Sequence, residues 1–260
     1  QVGGANFAGS RRSGECTLVI TEGDSAKSLA VSGLSVVGRD YYGVFPLRGK
    51  PLNVRDATLR TVTQNVEIKN LVDILGLKFQ TVYDESNIKT LRYGHLLIMA
   101  DQDTDGSHIK GLIVNFIHHF WPSLLDVPGF LQQFITPIVK VTKKGKKKGQ
   151  SFFNLPEYHQ WLEANNGGQG YNIKYYKGLG TSTSAEAKDY FSNLDLHLIN
   201  FGQLSQDLLE DNSNRMQEDD DDEALSRALP DTCKSGAHLI DMVFAKNRVE
   251  DRKQWLKSML

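Results

Sequence analysis

Residues 96–108, LLIMADQDTDGSH, contain the pattern that decides the fold. The apolar run LLIMA is typical of a buried strand, and it stops at three carboxylates on alternate positions, Asp101, Asp103 and Asp105. Strand side chains alternate with a period of two, so Asp101 and Asp103 are expected to point the same way, about 7 Å apart. Like charges so close repel each other unless a cation neutralises them. The stretch predicts a divalent metal site at a strand end, with a solvated acidic turn as the plainer alternative.

The composition is that of an ordinary globular protein, with 260 residues of which 40% are hydrophobic and 23% charged. This length predicts one large domain or two small ones. No apolar run approaches the roughly 18 residues of a membrane span, and the chain begins with neither Met nor a signal peptide, so we expect a fragment of a longer protein without a membrane partner. Cys16 and Cys233 lack zinc-site spacing, which predicts a reducing compartment without disulfides.

Charge is unevenly distributed along the chain, although the net charge is only −1. The run at 218–223, EDDDDE, contains six of the 31 acidic residues, so the remainder of the chain has 25 acidic and 30 basic residues. Basic residues cluster at 143–148, KKGKKK, and near the C-terminus. Clustered positive charge attracts a phosphate backbone, and a solvated turn is the alternative interpretation.

A second predicted strand, TLVIT at 17–21, also ends in acidic residues, of which Glu22 is the first. Ser25 is expected to cap the helix that follows, giving a strand, turn and helix. A phosphate-binding P-loop is excluded here, because it needs Gly directly before its Lys and Ala26 occupies that place.

Strands and helices alternate along the next hundred residues. The predicted elements are a strand at 41–47 (YYGVFPL), a helix at 65–77 (NVEIKNLVDILGL), a long apolar helix after Ser107 that stops near Pro122, and a strand at 134–142 (FITPIVKVT). This alternation predicts a mostly parallel sheet with helices on both faces.

Three strand ends are expected to converge on one crevice, because ligands of such sheets bind outside the carboxyl ends of the strands. One end is Glu22, one is the Arg48/Lys50 pair, and one is the group of three aspartates. A cation held by acids beside an arginine and a lysine is the arrangement expected for a phosphodiester.

The pattern after residue 142 predicts smaller elements. In chain order these are a protruding lysine hairpin closed by SFFNL (151–155), a short helix at 156–164, a strand at 171–176, the turn KGLGTS (177–182), and a helix capped by Ser182 or Ser184. The turn could hold an anion with its backbone amides and Lys177. The C-terminal residues predict one or two amphipathic helices.

Four motifs now stand in order: TEGDSAKSLAVSG (21–33), FPLRGKPLN (45–53), LIMADQDTDGSHIKGL (97–112) and KYYKGLGTS (174–182). Together they resemble the Toprim region of type II DNA topoisomerases, most closely that of the eukaryotic enzymes. The resemblance runs from about Ala5 to the C-terminus. It departs at 203–235, where the acidic segment is longer than is usual in the family.

The resemblance implies an α/β fold, a Rossmann-like, mostly parallel sheet with helices on both faces, plus a smaller C-terminal α+β extension. The implied regions are an N-terminal lead-in at 1–15, the Toprim metal-binding domain at 16–142, the basic hairpin and KGLGTS segment at 143–200, an acidic insertion expected to be disordered at 201–235, and a helical segment at 236–260 leading towards a winged-helix domain.

The family also implies roles for individual residues. By similarity, Glu22, Asp101 and Asp103 would be catalytic and hold Mg²⁺, with Asp105 alongside as a further metal ligand; Gly106 is expected to turn the chain after it. Mn²⁺ or Ca²⁺ would substitute in binding. The expected DNA-binding residues are Lys50, Asn53, Arg252 and Lys253 by similarity, and Arg48 and Lys177 as our own additions.

The implied enzyme is a nuclear, ATP-dependent homodimer that cleaves and religates duplex DNA through a tyrosyl phosphodiester. In this family the attacking tyrosine lies in a separate winged-helix domain, and none of the nine tyrosines here lies in the matching motif. No ATP-binding domain is recognised. The fragment is therefore expected to bind Mg²⁺ and DNA weakly and to be unable to cut alone.

Three alternatives stay open on sequence. DQDTDG matches the start of a calcium-binding EF-hand loop, although Leu112 stands where that loop needs Glu. Ser25 with Asp105 and His108 could form a hydrolase site. The third alternative is another Toprim enzyme, a primase or a nuclease.

Overall fold

The computed structural model describes residues 3–146, 148–201 and 236–258, with Ser25 described in its backbone only. The strands are β1 Thr17–Glu22, β2 Tyr42–Leu47, β3 His95–Met99, β4 Leu131–Phe134, β5 Val139–Lys143, β6 Gln150–Phe152, β7 Tyr171–Tyr175 and β8 Leu198–Asn200. The helices are α1 Gly23–Val37, α2 Leu59–Gln64, α3 Val66–Leu75, α4 Thr104–Phe120, α5 Leu155–Ala164, α6 Ser184–Ser192, α7 Gly236–Phe244 and α8 Val249–Ser258. The predicted acidic insertion falls almost wholly outside the described residues.

The main sheet has five strands in the order β2-β1-β3-β4-β8. The first four are parallel, and β8 pairs antiparallel with β4. The central strands β1 and β3 are almost entirely buried, as expected for apolar runs covered on both faces. The carboxyl ends of β1, β2 and β3 therefore lie side by side, which is the arrangement that the sequence predicts.

Helices cover both faces of the main sheet. On one face, Val19, Leu97 and Met99 pack with residues of α1 and α6. On the other face, Leu18 and Ile98 pack with residues of α2, α3 and α4. Neighbouring strand residues thus enter different cores, and the predicted α/β fold with helices on both faces is confirmed.

The predicted strand FITPIVKVT is wrong as a single element. It divides into β4, which ends at Phe134 in the main sheet, and β5, which begins at Val139 in a second sheet. Pro137 lies between them and has no N–H to donate to a strand ladder, so the chain changes sheets there.

The second sheet confirms the expected α+β extension. It is antiparallel, in the order β6-β5-β7, and the lysine run forms the connection between β5 and β6, as predicted. One face of this sheet packs on α5 through Val139, Val141, Phe152 and Tyr158. β8 follows later in the same segment and returns to the main sheet, so this segment contributes to both sheets.

The predicted helix caps need two corrections. α1 begins at Gly23, directly after Glu22, so Ser25 lies inside the first turn and does not cap the helix. α6 is capped by Thr183 and not by Ser182 or Ser184, because Thr183 and Glu186 form a reciprocal capping box.

Two C-terminal helices are present, as the sequence predicts, and α7 packs against α4. Cys16 is a buried free thiol, and Cys233 is outside the described residues. Each described helix is too short or too polar to span a lipid bilayer.

Candidate metal and nucleic-acid site

The aspartate-rich stretch joins β3 to α4 and is not itself extended strand. β3 ends at Met99, and Asp103 is the N-cap of α4, where its Oδ1 accepts a hydrogen bond from the Gly106 N–H at 2.8 Å. Asp105 lies in the first turn of the helix. Asp105 does not continue the alternation of a strand, because α4 begins at Thr104. The shared direction of Asp101 and Asp103 stays a prediction.

Gly106 lies inside α4 and does not turn the chain, contrary to the prediction. A side chain at this position would collide with the Asp101 carbonyl group, so glycine permits the helix to start directly against Asp101. The first turn of α4 is thereby held beside the end of β3.

Glu22 and Asp101 meet where β1 and β3 end. The Asp101 backbone N–H donates to Glu22 Oε2 at 3.3 Å. Burial raises the pKa of Glu22, and the negative charges of Asp101, Asp103 and Asp105 raise it further, against the lowering effect of this hydrogen bond. The four acids therefore share one electrostatic environment.

The KGLGTS turn contacts the same group. The Leu179 N–H donates to Asp101 Oδ1 at 2.7 Å, and a side chain at Gly178 would collide with the Asp101 carboxylate. The sequence predicts an anion-holding turn here, and the anion that the turn holds in the structure is Asp101 itself. Lys177 at the start of the turn is exposed.

Glu186 fixes both ends of this turn. Before the turn, Lys174 Nζ donates to both carboxylate oxygens of Glu186, at 2.9 and 2.8 Å, and Tyr176 Oη donates at 2.5 Å. After it, the Thr183 N–H donates at 2.8 Å. Burial opposes ionisation of Glu186, but these hydrogen bonds lower its pKa to about 2.

Two lysines supply positive charge at the site. Lys50 Nζ lies 2.8 Å from Asp105 Oδ1, so the end of β2 also reaches the acids, and this contact lowers the pKa of Asp105. Lys110 was missed by the sequence analysis. It is 8% exposed, and burial lowers its pKa while Asp103, Glu22 and Asp101 act to raise it.

A spacing in the sequence could have identified Lys110. It follows Asp103 by seven positions and Gly106 by four, so the three residues share one face of α4. Long helical side chains lean towards the N-terminus, which directs the Lys110 ammonium group towards the acids. For Glu186, the available signal was the T-x-x-E spacing of a capping box.

Known proteins match this chain along nearly its whole length. The model of the Toprim domain matches residues 17–130, and that of the C-terminal associated domain of TOPRIM matches residues 134–232. DNA topoisomerase 2 of Bombyx mori is 54% identical over 97% of this chain. DNA topoisomerase 2-alpha of Homo sapiens is 50% identical over 98% of it.

A solved structure of a topoisomerase II domain also matches this chain. The crystal structure of the Plasmodium falciparum topoisomerase II DNA-binding, cleavage and re-ligation domain matches all of this chain with a TM-score of 0.81 and 49% identity. The chain belongs to the Toprim regions of eukaryotic-type DNA topoisomerase II. It spans 14% of the Bombyx mori protein, 15% of the human protein and 31% of the solved Plasmodium falciparum chain.

The acidic residues of this Toprim domain suit a hard divalent cation, both because their carboxylate oxygens are suitable ligands and because they lie near one another. Carboxylate oxygens are the ligands that Mg²⁺ prefers, and Glu22 is already adjacent to Asp101. Asp101 and Asp103 each use one carboxylate oxygen to accept a backbone hydrogen bond, which leaves the other oxygen available. Within the described ranges, no three His, Cys, Asp or Glu side chains converge as a ready ligand set. Mg²⁺ usually keeps several water ligands and needs only one or two carboxylates from the protein.

The expected DNA-binding residues of the Toprim region differ in their surroundings. Arg48 and Lys253 are exposed, and Lys253 bonds to Glu250 at 2.7 Å. Asn53 donates to the Phe244 carbonyl at 2.9 Å, and Arg252 donates to the carbonyls that end α7. Asn53 therefore also ties α7 to the Toprim domain, and Arg252 ties α8 to the end of α7. Contact of either residue with DNA stays a prediction.

Proposed function

We propose that this chain is the Mg²⁺-binding and DNA-binding part of an ATP-dependent type II DNA topoisomerase, which cleaves and religates duplex DNA through a tyrosyl phosphodiester. The observation that carries the proposal is the meeting of Glu22 and Asp101 at the edge of a Toprim sheet, in a chain 54% identical to a DNA topoisomerase 2. Strand ends of this kind form the ligand crevice of parallel α/β sheets.

Each residue of the crevice then has a defined task. Glu22, Asp101 and Asp103 would hold Mg²⁺, with Mn²⁺ or Ca²⁺ able to replace it in binding, and the Leu179 N–H would orient Asp101. The chemistry that the metal supplies at such a site is stabilisation of negative charge on the scissile phosphate and the leaving oxygen. Lys50 would leave Asp105 and bind a DNA phosphate. The Lys50–Asp105 ion pair is exposed to solvent, so a phosphate oxygen can replace the Asp105 carboxylate as the partner of the Lys50 ammonium group.

The tyrosine nucleophile is expected to come from outside these 260 residues. All nine tyrosines are described, and Tyr176 is two positions from the Gly178 that touches Asp101. Burial and its hydrogen bond to Glu186 raise the pKa of Tyr176, which disfavours the phenolate needed for attack. We therefore infer that the attacking tyrosine lies elsewhere in a longer protein, and that these residues alone bind DNA weakly without cleaving it. The similarity to DNA topoisomerase 2 is the ground on which we also infer a nuclear homodimer with a separate ATP-binding domain.

Supercoiled DNA incubated with the chain and Mg²⁺ tests this assignment. We expect no protein-linked breaks. In a longer enzyme that contains this sequence and cleaves DNA, Asp101→Asn should reduce cleavage by at least about a hundredfold, because one charged ligand oxygen is lost. Asp73→Asn, an exposed aspartate on α3, is the matched control and should leave cleavage unchanged.

Two outcomes would contradict the proposal. Robust protein-linked double-strand breaks by the chain alone would show that the nucleophile lies within it. Metal-dependent nicks without a covalent protein link would favour the primase or nuclease alternative. The EF-hand alternative is wrong on structural grounds, because β3 precedes DQDTDG where an EF-hand requires a helix.

A further inference from the structure

The second sheet and α5 form a compact arm that is joined to the crevice by the KGLGTS turn. β7 ends at Tyr175, and the chain reaches the Asp101 contact at Leu179 four residues later. β5 and β7 pair along their whole length, with Lys143 opposite Tyr171 and Val139 opposite Tyr175. The connection between β5 and β6 therefore lies at the end of the arm farthest from the crevice.

The far end of the arm carries a concentrated positive charge, the lysine tip, which consists of Lys143, Lys144, Lys146 and Lys148. All four side chains are exposed, and in the part of the chain that the structure describes none forms an ion pair. Two backbone hydrogen bonds hold the first part of the tip, because the Lys144 N–H donates to the Gly170 carbonyl and the Lys146 N–H donates to the Lys143 carbonyl. The charges are thus presented on a hydrogen-bonded hairpin.

The open face of the arm continues this charge towards the crevice. Lys140 lies directly opposite Lys174, and like charges in that relation destabilise a strand pair. Glu186 neutralises Lys174, which leaves Lys140 without an acidic partner among the described residues. The other face of the sheet packs on α5, so the acidic Glu157 and Glu163 of that helix lie on the opposite side.

We propose that duplex DNA bound at the crevice continues along the open face of the arm, and that the lysine tip contacts its phosphates. The proposal rests on the proposed function and extends it to the path of the DNA. The four residue intervals of β7 span about 14 Å at strand rise. That length corresponds to about four base pairs, because phosphates on each DNA strand are about 3.4 Å apart along the axis.

The salt dependence of DNA binding tests this contact. Each phosphate contact adds about 0.9 to the slope of log K against log salt concentration, so the triple variant Lys144→Gln, Lys146→Gln, Lys148→Gln should bind a short duplex with a slope lower by about 2 to 3. The matched control is Lys69→Gln, Lys78→Gln, Lys89→Gln, three exposed lysines elsewhere in the chain. We expect the control slope to equal that of the parent chain, and both triple variants to unfold at the parent temperature.

The outcomes separate this inference from the proposed function. If the parent chain binds duplex, Lys50→Glu weakens the binding and the tip variant keeps the parent slope, the inference fails while the proposed function stands. If neither the parent nor the variants bind duplex even at low salt, the proposed function fails. Tip-dependent binding to phosphatidylserine vesicles without any tip effect on duplex would overturn the inference and identify an anionic membrane surface instead.

Discussion

Glu22 ends β1 beside three aspartates, and burial together with their negative charges raises the pKa of its carboxyl group. A carboxyl group whose pKa is higher in the folded state costs stability once it ionises. The loss is absent below the unfolded pKa, near the ordinary value of 4.5, and is complete above the folded pKa. The unfavourable charge is retained at the position where a cation would relieve it, as is typical of functional sites.

Glu22→Gln should therefore stabilise the metal-free chain at neutral pH, because the amide oxygen can still accept the Asp101 N–H while the charge is removed. In EDTA at pH 7, we expect the variant to unfold at a higher temperature than the parent. The difference should disappear as pH falls below 4.5. Equal unfolding temperatures across this range in scanning calorimetry would contradict the account of Glu22.

The KGLGTS turn is the element that connects the stability of the second sheet to the orientation of Asp101. Glu186 binds Lys174 and Tyr176 on one side of the turn and Thr183 on the other, and its side chain is only 17% exposed. Its pKa is lowered to about 2. A lowered carboxyl pKa contributes stability that is present above the unfolded pKa and is lost as pH falls through the folded value.

Glu186→Gln should lower the free energy of unfolding at pH 7 by at most about 3 kcal/mol, from the size of this pKa shift. The difference from the parent should shrink between pH 4.5 and about 2. The variant should also bind Mn²⁺ more weakly in electron paramagnetic resonance titrations, because the turn that orients Asp101 is loosened. Glu163→Gln, exposed on α5, is the control and should change neither quantity. If Glu186→Gln bound Mn²⁺ with the affinity of the parent, the KGLGTS turn would have no part in orienting Asp101 for metal binding.

Across the whole molecule, the features that the sequence predicts correctly are those encoded by a pattern of neighbouring residues. Apolar runs such as LLIMA predict the central strands, and the acidic residues that follow β1 and β3 predict the position of the crevice. The contact between Leu179 and Asp101 joins residues 78 positions apart, and no local pattern encodes it. The change of sheet after Phe134 was missed because FITPIVKVT has strand propensity throughout, and only Pro137 marks the break.

Diffraction from crystals of the chain soaked in Mn²⁺ tests the central claim most directly. We expect an anomalous difference peak between the carboxylates of Glu22 and Asp101, with Asp103 as a further oxygen ligand, and we expect that peak to be lost in Asp101→Asn. A fully soaked crystal with no peak between Glu22 and Asp101, or with Mn²⁺ bound only elsewhere, would contradict it.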